Sequence, residues 1–196
     1  NITSKDLELQ KELGFEDKVV IGYIGSFVKY EGLDLLLEAC AILKEKHGDI
    51  FRLLLVGDGD TMQQLRRTTQ FLQLEDQVVF TGRVSHDKVQ NYYSLIDIAP
   101  LPRKGLRVCE LVSPLKPFEA MGSGKVLVVS SVQALVEIVD DGVTGLIFEK
   151  DNSADLADKI EIALLDEELR NKMGKNANEW VMKNHSWEVI SERVTK

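Results

Sequence analysis

Residues 19–25 read Val-Val-Ile-Gly-Tyr-Ile-Gly, a near-continuous apolar run that ends on glycine. Such a run suits a strand buried on both faces of a parallel sheet, because one wet face would force alternation with polar residues. Working outward, Leu33, Leu36, Leu37, Cys40 and Leu43 recur at helical spacing over residues 32–47. Phe51–Val56 repeats the buried-strand pattern, Gly57-Asp58-Gly59-Asp60 turns the chain, and residues 62–72 read as helix. Strands follow at 78–81 and 96–100 around a helix at 87–95. Two more, 125–130 and Gly145–Phe148, flank a short helix at 134–139. From Ser153 the chain reads as helical to its end, broken around residues 184–186, with Val189, Ile190 and Val194 marking a last short helix. Repeated strand–helix alternation predicts the α/β class: a Rossmann-like, doubly wound parallel sheet of about six strands with helices on both faces and helices at the C-terminus. Residues 1–18 read as a linker or lead-in with a short helical patch around Leu7, Leu9 and Leu13, 19–184 as the domain and 185–196 as a C-terminal helix.

The chain has 196 residues, 24 basic and 32 acidic, for a net charge of −8. That length bounds it to one or at most two domains, able to bury roughly 70% of the unfolded surface. Apolar residues at 44% and charged residues at 29% describe an ordinary globular protein. The acidic balance argues against broad binding to nucleic acid or an anionic membrane, while leaving room for a local basic pocket. Two cysteines, Cys40 and Cys109, are too few for a disulfide framework or a tetrahedral zinc site. They point to a reducing, cytoplasmic setting. The longest apolar runs fall short of the roughly 18 residues of a membrane span, and no secretory signal opens the chain. The first residue is Asn1 and not Met, so a piece of a longer protein is expected.

In an open parallel sheet, ligands bind beyond the carboxyl ends of the strands, where strand order reverses. The loops facing that crevice are residues 26–31 and 101–112, the second carrying Arg103, Lys104 and Arg107. It runs into Ser113, which reads as an N-cap with Pro114 at the first helical position of a helix reaching Met121. Free amides at a helix start favour phosphate, so the expected ligand is phosphorylated. It is not a dinucleotide bound in the usual way, because Ile24 stands where Gly-x-Gly-x-x-Gly needs its second glycine. No Walker loop is present either. Asp58-Gly59-Asp60 reads as a turn, and His47, His86 and His185 are too scattered to suggest a metal site. Cys40, Trp180 and Trp187 read as packing residues.

These stretches resemble the C-terminal, nucleotide-sugar-binding domain of the retaining glycosyltransferases of family 4, which have the GT-B fold. The resemblance is carried by residues 19–37 and by Leu-Val-Gly-Asp-Gly at 55–59. Phe-Thr-Gly-Arg-Val at 80–84, SPLKPFEAMGSGKVLVV at 113–129 and Asp141-Gly142-Val143-Thr144-Gly145-Leu146-Ile147 complete it. It implies that Glu119 holds the ribose diol, that the backbone at Arg83 and Val84 reads the base, and that Gly25 lets the main chain approach the phosphates. A carboxylate suits the ribose because it accepts from two hydroxyls at once. Three positions depart from the pattern. Ser26 and Glu31 stand where the family has an arginine and a lysine on the diphosphate. Leu111 stands where it has the first of two paired glutamates, with Glu110 one residue earlier. Lys116, Arg103 or Arg107 is therefore expected to supply the phosphate charge, with the Ser113–Leu115 turn beside it, and Glu110 to reach the sugar.

The activity so implied is transfer of a sugar from a nucleotide diphosphate sugar to an acceptor with retention. It needs neither organic cofactor nor metal if protein donors meet the diphosphate. An acceptor-binding N-terminal domain should precede Asn1, carry any membrane association and receive the 185–196 helix. The 196 residues alone should fold and bind nucleotide without transferring sugar. The rival readings are a nucleotide-sugar epimerase on the same fold and a non-catalytic nucleotide- or partner-binding module.

Overall fold

A computed structural model describes residues 4–185. The elements are α1 (Leu7–Glu12), β1 (Val19–Ile24), a 3-10 turn (Lys29–Glu31), α2 (Leu33–His47), β2 (Phe51–Val56), α3 (Met62–Phe71), β3 (Val78–Gly82) and α4 (His86–Leu95). They continue with β4 (Ile98–Leu101), α5 (Arg107–Leu111), α6 (Lys116–Gly122), β5 (Val126–Ser130), α7 (Gln133–Val136), β6 (Gly145–Phe148), α8 (Ser153–Leu165) and α9 (Glu167–His185). The strands form one sheet in the order β3-β2-β1-β4-β5-β6, and every neighbouring pair is parallel. This is the doubly wound, Rossmann-like α/β architecture that the alternation predicts.

Parallel strands need crossover connections, and the crossover helices cover the sheet on both faces. The apolar runs record that coverage: Val20, Ile21, Leu53, Leu54, Leu55 and Val126 to Val129 are all buried. Helix α2 packs on α3 and α8, α6 packs on α9, and α1 packs on α4. Cys40 sits on the buried stripe of α2, as its spacing predicts. No helix among the described residues is long and apolar enough to cross a membrane.

Four local features differ from the sequence reading. Residues 4–18 pack against α4: Asp6 accepts from the Leu9 N–H at 3.1 Å, donates its own N–H to Ser94 Oγ at 3.0 Å, and Phe15 is fully buried. The expected loop 101–112 contains α5, too short for periodicity to reveal. The long C-terminal helix divides at Asp166, whose carboxylate accepts from the Leu169 N–H at 2.9 Å and so starts α9. Finally, Ser113 is not an N-cap. It is exposed and lies before the helix, which starts at Lys116 with Leu115 as cap. Pro117 and not Pro114 occupies the first turn, where a missing N–H breaks no helical bond. The expected helix at 189–194, Trp187, and the 185–196 segment as a unit lie outside the described residues.

One glycine is imposed by this packing. Gly32 caps α2 in the left-handed region, at φ 73°, and a Cβ there would stand 1.9 Å from the Pro102 carbonyl oxygen. A backbone oxygen cannot rotate away as a side chain can. Gly32→Ala should therefore cost at least about 1–3 kcal/mol. Denaturant unfolding checks this; an unchanged midpoint would refute the close approach.

Candidate functional site

The C-terminal ends of β1, β2 and β3 are tied together by main chain. The Gly25 N–H donates to Val56 O, the Gly57 N–H to Gly82 O and the Phe27 N–H to Asp58 O, each at 2.9 Å. A Cβ on Gly57 would lie 1.9 Å from Gly25 O, and one on Gly59 2.3 Å from Phe27 O. Both glycines of the 57–59 turn are thus required by the loop crossing above them. Asp58 accepts from the Gly59 N–H at 2.8 Å, a turn contact.

Three hollows lie along this rim. The first, about 260 Å³, is lined by Gly25, Ser26, Gly57, Arg83, Val84 and Val89. Through Val89 of α4 it adjoins a second of about 520 Å³, walled by His86, Tyr93, Phe118, Glu119 and Ser123. A narrow crevice between β1 and β4 touches both, sharing Ile24 with the first and Tyr93 with the second, and holds Lys116. The structure so brings Gly25, Ser26, Arg83, Val84, Lys116 and Glu119 to neighbouring hollows that share lining residues.

Glu119 projects from α6 between buried Pro117, Ala120 and Met121, yet its side chain is exposed to the groove. Pro117, Ala120 and Met121 turn inward while Glu119 does not, so its charge is not buried, contrary to what that run suggests. It accepts from the Tyr93 hydroxyl at 3.2 Å. Burial first and the Glu119 carboxylate second push the Tyr93 phenol well up, which keeps it a hydrogen-bond donor. Lys116 bridges two elements. Its Nζ lies 3.0 Å from Glu31 Oε1 and 5.1 Å from the Tyr23 ring centroid, and its Cε fills the space a Cβ on Gly25 would need. Tyr23 donates to Ser26 O at 3.1 Å and fixes that loop.

The other expected residues point elsewhere. Arg103 is buried: it donates to Val112 O at 2.8 Å and lies 3.7 Å from Glu31, so it braces the β4 loop from inside and cannot present its guanidinium to a ligand in this arrangement. Lys104 pairs with Asp34 at 2.6 Å. Arg107 starts α5 on the exposed surface. Glu110 turns to α7, accepting from the Gln133 N–H at 2.7 Å and pairing with Lys150 at 2.5 Å. At the start of α6, Phe118 and Glu119 donate back to Leu115 O and Pro117 has no N–H. That leaves Leu115 and Lys116 as the amides able to turn outward. His47 pairs with Glu161, remote from the groove. Sequence reasoning did not single out Tyr93, Val89 or the Glu31–Lys116 pair, because no local pattern reports which side chains meet across 85 residues of chain or 26.

Residues 4–180 match the family model of glycosyl transferases group 1. The chain belongs to this family. Among its relatives, alpha-D-kanosaminyltransferase of Streptomyces kanamyceticus is 28% identical over 174 residues, spanning 87% of this chain and 42% of that protein. The fold matches Anabaena HepE, solved with UDP and glucose, with a TM-score of 0.85 at 21% identity, over 96% of this chain and 50% of that one. It also matches the isolated C-terminal domain of the Francisella tularensis group 1 protein LpcC, with a TM-score of 0.79 at 20% identity, over 95% and 97% of the two chains. The chain spans about half the length of the curated relatives it matches, and its fold is that of the LpcC C-terminal domain.

At α5, the Gln133 amide first and the Lys150 ammonium second hold the Glu110 carboxyl below its ordinary 4.5. A depressed folded value adds stability above the ordinary value and loses it as pH falls through the depressed one. Glu110→Gln should therefore melt earlier than the parent at neutral pH, with the gap closing in acid. Thermal scans at stepped pH check this, and a gap that persists in strong acid would refute the placement.

Proposed function

We propose that this chain is the donor-binding half of a glycosyltransferase that moves a sugar from a nucleoside diphosphate sugar to an acceptor with retention. The observation that carries the reading is the adjacency of the Gly25–Arg83 hollow, the crevice holding Lys116 and the hollow walled by Glu119. An elongated donor would lie along them. The base would sit against the main chain at Arg83 and Val84, the ribose diol on Glu119, and the diphosphate over Gly25 and Ser26. Departure of the diphosphate builds negative charge on its oxygens. The Lys116 ammonium and the Leu115 and Lys116 amides are placed to favour that charge more in the transition state than in the ground state. This arrangement does not call for a metal. Glu110, kept ionised, has no proton to give, so its part toward the sugar would be as acceptor or fixed charge.

The acceptor would be bound by the other half of the protein. Leu106, Val108, Leu111, Val112 and Leu115, all exposed on the β4–α6 segment beside the groove, support a surface that this half covers. A second reading, nucleotide binding without transfer, is favoured by the commitment of Glu110 to Lys150 and Gln133. Sugar transfer by the full-length protein would exclude it, and release of free nucleotide from donor without any acceptor would favour an epimerase instead.

Calorimetry with UDP, GDP and ADP tests the groove. One charge-assisted hydrogen bond is worth about 1.5–3 kcal/mol, so Glu119→Ala should weaken the nucleotide that binds on the order of 10–100-fold. Unchanged affinity would overturn the ribose assignment. The 196-residue chain should bind nucleotide and show no transfer by itself; robust transfer would overturn the division of labour.

A further inference from the structure

Glu31 is an anomaly in this groove. It is 3% exposed, and its Oε2 makes no hydrogen bond. A carboxylate taken from water this far is costly unless opposite charge compensates it. Compensation comes from two sides: Lys116 Nζ at 3.0 Å and Arg103 Nε at 3.7 Å, both on Oε1. Arg103 is buried behind it, whereas the Lys116 side chain is 21% exposed and faces the crevice. Two cations and one anion leave one excess positive charge, and the cation nearest the groove carries it. Glu31 also lies beside the Tyr23 phenol and adds to the rise in that group's pKa, after burial. Tyr23 in turn holds the Ser26 carbonyl. The carboxylate therefore sits behind both the loop that would face the diphosphate and the ammonium that would meet it.

Resting on the donor-groove reading, we infer that Lys116 is the cation that binds the diphosphate and that Glu31 is its positioning residue, holding the ammonium over Gly25. A free lysine on a helix start samples many rotamers, and fixing it costs side-chain entropy. Pairing with a buried, immobile carboxylate removes that cost before the ligand arrives. Position 31 thereby acts through Lys116 despite bearing the same sign of charge as the ligand. The role makes a prediction about sign. A bare negative charge beside a diphosphate repels it, so removing the charge would tighten binding. A positioning carboxylate does the opposite.

The test measures, by calorimetry on the 196-residue chain, UDP, GDP and ADP together with the matching nucleosides, for Lys116→Met, Glu31→Gln and the double variant. The parent should prefer diphosphate over nucleoside. Lys116→Met should lose about 10–100-fold in diphosphate affinity, the worth of one charge-assisted contact, with nucleoside affinity unchanged. It should also flatten the salt dependence of binding. Glu31→Gln should weaken diphosphate and spare nucleoside, and should have no such effect when added to Lys116→Met. Tighter diphosphate binding by Glu31→Gln would overturn the positioning role, as would equal weakening of nucleoside and diphosphate. Full diphosphate affinity in Lys116→Met would overturn the assignment of the cation and leave the groove standing. A parent that binds none of the three diphosphates would end both readings. Should Glu31→Gln not fold, Lys116→Met alone still decides the cation, and Glu31→Asp, which keeps the charge but shortens its reach, decides positioning by the same diphosphate-to-nucleoside ratio.

Discussion

The structure depends on how β1 is paired. Along its full length, Val19 to Ile24, it is in register with Phe51 to Val56 of β2. With β4 it aligns only at Ile21 and Ile98, supported by the Asp97 N–H donating to Val20 O at 2.8 Å and the Val20 N–H donating to Asp97 Oδ2 at 2.9 Å. The chain leaves β1 toward one edge of the sheet and β4 toward the other, so their loops diverge and a crevice opens between them. Both faces of the sheet are buried under helices, and the carboxyl rim is the part left for a ligand. Gly22 belongs to the same constraint: a Cβ there would stand 2.3 Å from the Ile96 side chain, where β1 and the approach to β4 come closest.

The rim is assembled from charges whose partners lie far away in sequence. Glu31 meets Lys116 and Arg103, Glu119 meets Tyr93, Glu110 meets Lys150, and Lys104 meets Asp34. Of three basic residues in one loop, one is buried as a brace, one pairs on the flank of α2 and one stands exposed at the start of α5. Composition counts them alike; their environments make them different chemical groups. The net charge of −8 likewise says nothing about the local excess of one positive charge at the crevice.

Much of the fold was legible because burial writes itself into sequence. Phe51–Val56 and Gly145–Phe148 stand where the apolar runs put them, since a strand covered on both faces tolerates little else. The short pieces were not legible. Helix α5, of five residues, and the 3-10 turn at Lys29–Glu31 are too short to show a repeat of the helical period, and the start of α6 had two prolines three residues apart to choose between. Glu119 shows the limit of reading burial from neighbours: apolar residues on either side of a helical position say nothing about the direction in which that position points. Gly25, Arg83 and Val84 were identifiable from local motifs and do share a hollow. Arg103 was identifiable only as a charge.

The sequence by itself determined the class of fold, the strand segments and the glycine-marked loops, because each follows from local burial or from a backbone conformation closed to other residues. Which cation faces the groove, which carboxylate is open to it and which is hidden behind it was decided by the tertiary structure alone. Those outcomes depend on distances between residues brought together by strand order, and electrostatic energy depends on distance and burial, neither of which is encoded in any short stretch of chain.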